Sequence, residues 1–220
     1  LVAADASKFD GHVSPAAREF ETLLLAHMFQ KYKTEVLELH SRQYNVRTSD
    51  GHKILTERGS GSPETTAFNT SLSALIDYTE LRDSSLGPKV AFGRLGLYCG
   101  DDTLSTANSR KLTQAATAWG QVYKVNEVFK KGEPGLNFLS RFYTKDVWNG
   151  DNSSTCDLPR QLSKLLLTQN LPQNIAPERR ILEKLASFIQ TDKHTPIIGD
   201  LCVHAERRGW LQGIAPDPTR

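Results

Sequence analysis

The stretch LGLYCGDDTLST, residues 95–106, places two adjacent aspartates directly after a run of apolar, strand-forming residues. Successive side chains of an extended strand point to opposite faces, so Asp101 and Asp102 can share a ligand only from a tight turn. Gly100 precedes them and permits the unusual backbone that such a turn needs. We therefore predict a hairpin with both carboxylates at its tip.

Composition indicates an ordinary globular chain of one large domain or two small ones. The 220 residues are 38% hydrophobic and carry a formal net charge of +2, which favours no polyanionic partner by charge alone. Cys99, Cys156 and Cys202 form no CxxC pair, so neither a disulfide framework nor a zinc site is predicted, and a reducing compartment fits best. No apolar run approaches the roughly 20 residues that span a bilayer. The chain opens on LVAADAS without a Met, so we expect a fragment of a longer protein.

The pattern of apolar and turn residues predicts an α+β chain. LVAADAS predicts a buried strand, and Ser14 with Pro15 predicts the start of a long helix that is broken once. Residues 44–58 predict two short strands, and Ser62 with Pro63 predicts the start of a second helix. Beyond the hairpin we predict a third helix, further strands, and then short helices after a polar stretch near residue 146. A domain boundary is therefore predicted between residues 145 and 146.

Carboxylates at strand ends suggest a metal site. Two crowded carboxylates repel each other unless a cation is present, and Mg²⁺ favours one or two carboxylates together with phosphate oxygens. An isolated GDD tripeptide is more often a solvated turn, but Asp5 also ends an apolar strand. A sheet that sets the two strands side by side would bring Asp5 near Asp101, and Asp10 could reach the same cleft.

The loop RGSGSPETTAFN, residues 58–69, has features that a phosphate or a sugar requires. Gly59 and Gly61 allow close backbone approach, and the following helix start offers free N–H groups. Thr65 and Asn69 are four residues apart and lie on one helix face. Taken alone, the segment is equally well explained as a flexible loop with a capped helix.

Four motifs in order resemble the palm of viral RNA-dependent RNA polymerases: DASKFD, SGSPETTAFNT, YCGDD and FLSRFY. The family's patterns D-x4-D, S-G-x3-T-x3-N and GDD are matched by Asp5 and Asp10, by Ser60, Gly61, Thr65 and Asn69, and by Gly100, Asp101 and Asp102. FLSRFY and the following DVW are most similar to the nodavirus-like polymerases of positive-strand RNA viruses. The resemblance covers roughly residues 1–145.

The resemblance implies a fragment of a right-hand polymerase. Residues 1–145 would form the palm, a ferredoxin/RRM-like antiparallel sheet with helices packed on one face, and would include a small fingers-derived insertion near 42–60. Residues 146–220 would begin a mainly helical thumb. The basic fingers strand that neutralises the incoming triphosphate has no counterpart in the sequence, and it normally precedes the first motif.

The resemblance also implies a role for each matched residue. Asp5 and Asp101 would hold two Mg²⁺ ions, for which Mn²⁺ can substitute, and Asp102 would assist more loosely. Asp10 and Asn69, with Ser60, Gly61 and Thr65, would bind the nucleotide and select ribose by its 2′-hydroxyl. Lys124, in competition with Lys130 and Lys131, would protonate the pyrophosphate. Ser140 and Arg141, in a hairpin that begins at Phe138, would contact the primer strand.

The expected partners are an RNA template, the nascent RNA strand and ribonucleoside triphosphates, in viral genome replication. The expected place is the host cytoplasm, at membrane-associated replication complexes reached through regions outside this sequence. Three alternatives remain: a reverse transcriptase-like polymerase, a non-catalytic palm remnant that binds RNA, and a ferredoxin-like domain with another binding role. An aromatic residue usually stands at the position of Asp10 in reverse transcriptases, which disfavours the first. The six histidines show no metal-ligand spacing and are predicted to be exposed or partly buried.

Overall fold

The chain forms two compact units, the first from Leu1 to Lys131 and the second from Gly132 onward. A computed structural model describes residues 1–133, 135–169 and 171–216. Helices and antiparallel sheets occur in both units, in agreement with the α+β prediction. The division falls before the predicted boundary at residue 145, so the hairpin around Ser140 lies in the second unit.

The first unit contains a four-stranded sheet, a two-stranded sheet and five helices among its described residues. Its elements are β1 (Val2–Ala6), α1 (Pro15–Met28), α2 (Lys33–Ser41), β2 (Val46–Arg47), β3 (Lys53–Ile54), α3 (Thr65–Asp83), α4 (Pro88–Phe92), β4 (Leu97–Cys99), β5 (Asp102–Ser105), α5 (Ser109–Ala118) and β6 (Tyr123–Val128).

The four-stranded sheet has the order β4-β5-β1-β6, with every neighbouring pair antiparallel. In β1 the alternate residues Val2, Ala4 and Ala6 are buried, as the period of an extended strand requires. They share a core cluster with Leu72 and Ile76 of α3 and with residues of α5. Asp5, between two buried alanines, therefore lies on the face of the sheet opposite that core.

The ends of the helices follow the local signals for the most part. Ser14 caps α1, because its hydroxyl accepts a hydrogen bond from the Ala17 N–H at 3.2 Å, and Pro15 is the first helical residue. The predicted break is a short 3-10 turn, Gln30–Tyr32, between α1 and α2. The second predicted helix starts at Thr65, two residues beyond Pro63, with Glu64 at the cap position.

The second unit contains a three-stranded antiparallel sheet, ordered β7-β8-β9, followed by helices. Its elements are β7 (Leu136–Phe138), β8 (Arg141–Tyr143), β9 (Ser154–Cys156), α6 (Leu158–Leu165), α7 (Pro177–Asp192) and α8 (Ile198–Arg207). Leu185 and Phe188 of α7 pack with Ile198 and Cys202 of α8 in its core. All three cysteines are free, and burial raises the pKa of Cys156 and Cys202 to about 11.

Across the described part of the chain, no helix combines the length and the apolar character needed to cross a bilayer.

The backbone at Gly96, just before β4, lies against β5 with no room for a side chain. A Cβ atom at this position would stand 2.0 Å from the Leu104 carbonyl oxygen, which belongs to the backbone and cannot swing away. We expect Gly96→Ala to lower the free energy of unfolding by about 1–3 kcal/mol in urea denaturation. Gly87→Ala is the control, since nothing lies within 4 Å of a Cβ there. Equal stabilities of the two variants would contradict the close approach.

Candidate active site

The two aspartates at the sheet edge occupy different positions in the β4–β5 hairpin. Cys99 lies opposite Asp102, which leaves Gly100 and Asp101 as the two turn residues. Gly100 has φ of 65°, the left-handed conformation that glycine supplies at the first position of a two-residue hairpin turn. The prediction that both carboxylates sit at the tip is therefore wrong: Asp101 lies in the turn, and Asp102 is the first residue of β5.

Asp5 lies at the end of β1, between the hairpin and β6. In the β1–β5 ladder Ala4 is opposite Thr103, so the next step outward sets Asp5 beside Asp102. On its other side Asp5 is the cross-strand partner of Lys124. Of the three lysines considered from sequence, Lys124 is the one that the sheet places next to Asp5. The side chains of Asp5, Asp102 and Lys124 are all exposed at this end of the strands.

The donor set at this edge suits a hard cation, although no complete cage is present. Among the described residues no three His, Cys, Asp or Glu side chains converge into a metal site. In that same part of the chain, the carboxylates of Asp5 and Asp101 have no hydrogen-bond or ion-pair partner. Mg²⁺ binds through one or two carboxylates and completes its shell with water and phosphate oxygens, so this all-oxygen set fits it.

Helix α3 holds the turn that carries Asp101. The Gly100 N–H donates to the Thr70 hydroxyl at 2.8 Å, and the Ser73 hydroxyl donates to the Gly100 carbonyl at 2.9 Å. Both backbone polar groups of Gly100 are therefore bound by one helix. Sequence reasoning missed this contact, although Thr70 and Ser73 are three residues apart and so share a helix face just beyond Asn69.

One turn further along α3, Asp77 anchors the base of the same hairpin. Its fully buried carboxylate accepts hydrogen bonds from the Ser105 hydroxyl at 2.6 Å and from the Tyr98 hydroxyl. Burial raises the pKa of Asp77, against the opposing effect of these two hydrogen bonds. Burial and then the nearby Asp77 carboxylate raise the pKa of Tyr98, which therefore remains a phenol that can donate.

Asp10, Ser60 and Asn69 meet at the mouth of the loop before α3. One carboxylate oxygen of Asp10 accepts from the Asn69 side-chain amide at 2.8 Å, and the other accepts from the Ser60 hydroxyl. The Thr65 hydroxyl donates to the Gly59 carbonyl at 3.2 Å, and Gly61 has φ of 93°. The structure thus brings the predicted nucleotide-binding residues of the first two motifs together.

A group of buried charges lies behind Asn69. Arg58 donates to Asn69 Oδ1 through Nε at 2.8 Å and to Glu21 through its Nη2 atom. Glu21 also accepts from Arg18 Nη1 at 2.9 Å. His40, predicted to be exposed or partly buried, is only 3% exposed, with Nε2 3.4 Å from Glu21. Burial lowers the pKa of His40, although the nearby Glu21 carboxylate acts in the opposite direction. The lowered pKa favours the neutral ring.

A cavity of about 580 Å³ opens between the β4–β5 hairpin, the segment that follows β1 and the start of α3, and Asp5 is not among its lining residues. Its lining includes five of the residues predicted from sequence: Asp10, Ser60, Thr65, Asn69 and Asp101. Lys8 also lines it and was missed, because a lysine between two aspartates gives no pattern of its own. Lys8 has φ of 51°, which turns the chain between Asp5 and Asp10.

The residues predicted to contact the primer lie in the second unit, in the β7–β8 hairpin. Phe138 is opposite Arg141, and the two turn residues, Leu139 and Ser140, have φ of 54° and 59°. The Ser140 hydroxyl accepts a hydrogen bond from Arg160.

The guanidinium of Arg141 makes contacts within this unit. It donates to Ser154 Oγ at 2.7 Å and to Asp192 at 3.2 Å. Burial raises the pKa of Asp192, but hydrogen bonds from Arg141, Thr191 and Thr195 outweigh it and lower the pKa to about 2. A phosphate contact by Arg141 stays a prediction, and such a phosphate would meet a guanidinium that already has a carboxylate partner.

The chain is similar to RNA-directed RNA polymerases of viruses. It is 29% identical over 222 residues to that of Boolarra virus, a match that covers 94% of this chain and 21% of that protein. It is 30% identical over 209 residues to that of Pieris rapae virus, a match that covers 89% of this chain and 20% of that protein. It is 27% identical over 221 residues to that of Macrobrachium rosenbergii nodavirus, covering 92% and 20%.

These matches confirm the resemblance to nodavirus-like polymerases that the four motifs indicate. The chain spans about one-fifth of the length of the curated relatives it matches. No protein-family model matches it.

Loss of the Thr70 hydroxyl tests whether α3 holds the β4–β5 hairpin. In Thr70→Val the Gly100 N–H has no acceptor, so we expect the free energy of unfolding to fall by about 1 kcal/mol. The Gly100 amide should also exchange its hydrogen faster, as measured by NMR hydrogen exchange. Thr66→Val is the matched control, because Thr66 is an exposed residue of the same helix. Unchanged exchange at Gly100 in Thr70→Val would contradict the clamp.

Proposed function

We propose that this chain carries the catalytic palm of an RNA-directed RNA polymerase, which joins ribonucleoside triphosphates on an RNA template. The observation that carries the proposal is one cavity lined by Asp10, Ser60 and Asn69 on one side and by the Gly100–Asp101 turn on the other. Sugar-binding and metal-binding groups from three separate motifs face the same space. The similarity to nodavirus polymerases supports the same assignment.

In this proposal Asp5 and Asp101 hold the divalent ions, with Asp102 as a more distant contributor. Two Mg²⁺ ions, when bound, would activate the 3′-hydroxyl of the primer as nucleophile and neutralise the charge of the leaving pyrophosphate. The protein's part is to keep the two carboxylates at fixed positions. The β1–β5 pairing and the bonds from α3 to Gly100 do so without using either carboxylate.

Asp10 and Asn69 are assigned to the ribose 2′-hydroxyl, which donates one hydrogen bond and accepts others. Asp10 can accept from it, and the Asn69 amide has a second N–H beyond the one directed at Asp10. A deoxyribonucleotide would leave the second Asn69 N–H and the remaining Asp10 lone pairs without a hydrogen-bond partner, which costs binding free energy. Ser60, Gly61 and Thr65 support the loop that presents them.

Two lysines are assigned to the phosphates. Lys124 is assigned to deliver a proton to the leaving pyrophosphate, and its cross-strand pairing with Asp5 supports this assignment. Lys8 lines the cavity and is assigned to the triphosphate itself, a task for which sequence offered no candidate. We place the palm in the first unit and the start of a thumb, including the primer hairpin with Ser140 and Arg141, in the second.

Removal of one metal-binding carboxylate tests the catalytic assignment. Asp101→Asn in the intact protein keeps the shape of the side chain but removes its charge, so we expect primer extension with Mg²⁺ to fall at least about 100-fold. Asp83→Asn is the matched control, because Asp83 is an exposed carboxylate at the end of α3. Primer extension that survives Asp101→Asn unchanged would overturn the metal assignment.

The charge of Lys8 is expected to act on nucleotide binding rather than on the chemical step. A cation near the triphosphate stabilises substrate and transition state alike, so Lys8→Ala should raise KM for nucleotides about tenfold and change kcat less. Lys89→Ala, an exposed lysine on α4, is the control. An unchanged KM in Lys8→Ala would remove Lys8 from the phosphate site.

A reverse transcriptase-like activity is the second candidate, since it would use the same sheet and the same metal ligands. Incorporation of deoxyribonucleotides in preference to ribonucleotides by the intact protein would favour it. That result would also contradict the assignment of Asp10 to the ribose hydroxyl.

A further inference from the structure

We propose that Arg58 and Glu21, two buried residues that do not appear in the cavity lining, are positioning residues that set how strongly this site prefers ribonucleotides. Their side chains are 1% and 0% exposed. The inference rests on the proposed function, because it takes Asp10 and Asn69 as the groups that meet the ribose. It adds a determinant of selectivity that reaches the sugar only through other side chains.

Arg58 determines which end of the Asn69 amide meets Asp10. A guanidinium has hydrogen-bond donors and no acceptor, so the atom of Asn69 that faces Arg58 Nε at 2.8 Å must be the oxygen. The amide nitrogen therefore points to Asp10 Oδ1, also at 2.8 Å. This leaves the second amide hydrogen and the free lone pairs of Asp10 for an incoming hydroxyl.

Arg58 also fixes the backbone at Asp10. The backbone N–H of Arg58 donates a hydrogen bond to the backbone carbonyl of Asp10 at 2.8 Å. One residue thus ties the main chain of Asp10 and the side chain of Asn69 to each other. Loss of the guanidinium would leave the buried Asn69 oxygen without its donor, and the amide would be free to turn.

Glu21 keeps the Arg58 side chain from forming a hydrogen bond with Asp10, although the two charges lie within ion-pair distance. The Arg58 guanidinium lies between two carboxylates: it is hydrogen-bonded to Glu21, whereas its Nε is 3.9 Å from Asp10 Oδ1, too far for a hydrogen bond. Without the negative charge of Glu21, the buried Arg58 cation would lose its hydrogen-bonded carboxylate, which is costly, and would keep only the more distant charge of Asp10 among its described partners. Asp10 is the carboxylate it would then approach, and the lone pairs that the ribose needs would be occupied.

The test compares the intact wild-type protein with variants in single-nucleotide incorporation. The quantity measured is kcat/KM for a ribonucleoside triphosphate divided by kcat/KM for its 2′-deoxy analogue. We expect Arg58→Gln to lower the ribonucleotide value about tenfold or more and to change the deoxyribonucleotide value less than about twofold, because only the hydroxyl contact is disturbed. Equal losses for both nucleotides would indicate a merely structural role and overturn the inference.

Glu21→Gln tests the second residue without touching Asn69. It preserves the side-chain volume, and the nucleotide ratio is expected to fall as in Arg58→Gln. The double variant should lose no more selectivity than Arg58→Gln alone, because Glu21 acts through Arg58. If the losses of selectivity in the two single variants add up in the double variant, the inference that Glu21 acts through Arg58 is overturned. Arg82→Gln is the matched control, since Arg82 is an exposed arginine on α3.

Folding of each variant is checked by its thermal unfolding transition. If Arg58→Gln does not fold, Arg58→Lys replaces it, because lysine keeps the charge but cannot bridge Glu21 and Asn69 with a planar fork. If Arg58→Lys and Glu21→Gln both keep the wild-type selectivity, this inference is overturned while the proposed ribose site stands. A wild-type protein that does not distinguish the two nucleotides would overturn the proposed ribose site, and the inference with it.

Discussion

The hydrogen bonds between α3 and Gly100 fix the position on which the rest of the site depends. A two-residue turn at a sheet edge has little packing of its own, and without α3 the backbone N–H and C=O of Gly100 would be bound only by water. Thr70 and Ser73 bind both groups, and Asp77 binds the strands behind the turn. Asp101 is thereby placed while its own carboxylate stays unused, which is what a metal ligand requires.

The carboxylates of the first unit differ in what neutralises them. Glu21 is fully buried and forms ion pairs with two buried arginines, Arg18 and Arg58, so its charge neutralises charges in the interior. Asp10 is intermediate: it accepts hydrogen bonds from two neutral groups and lies 3.9 Å from the Arg58 guanidinium, which leaves further lone pairs available to a ligand. The carboxylates of Asp5 and Asp101 make no hydrogen bond or ion pair among the described residues. This gradation from interior to cavity separates a structural carboxylate from the candidate ribose and metal ligands.

Local signals predicted the elements that depend on local chemistry. Ser14 and Pro15 start α1, alternate residues of β1 are buried, and Thr65 and Asn69 lie on one face of α3. The position of Asp102 was predicted wrongly, because the turn length is set by the pairing of Cys99 with Asp102 and not by the residue types alone. Arg58 and Glu21 are 37 residues apart, so no sequence spacing indicates their pairing, and the burial of His40 follows from that same long-range cluster.

Helix α3 carries Asn69 and Thr70 as neighbours, one directed at Asp10 and the other at Gly100. A rotation or shift of this helix therefore moves the contact with Asp10 and the Gly100–Asp101 turn together. In the proposed polymerase, the selection of ribose and the rate of nucleotide transfer would be linked, since a change in α3 that alters one contact displaces the other. Substitutions that escape a sugar-modified nucleotide by shifting α3 would for the same reason carry a cost in replication rate.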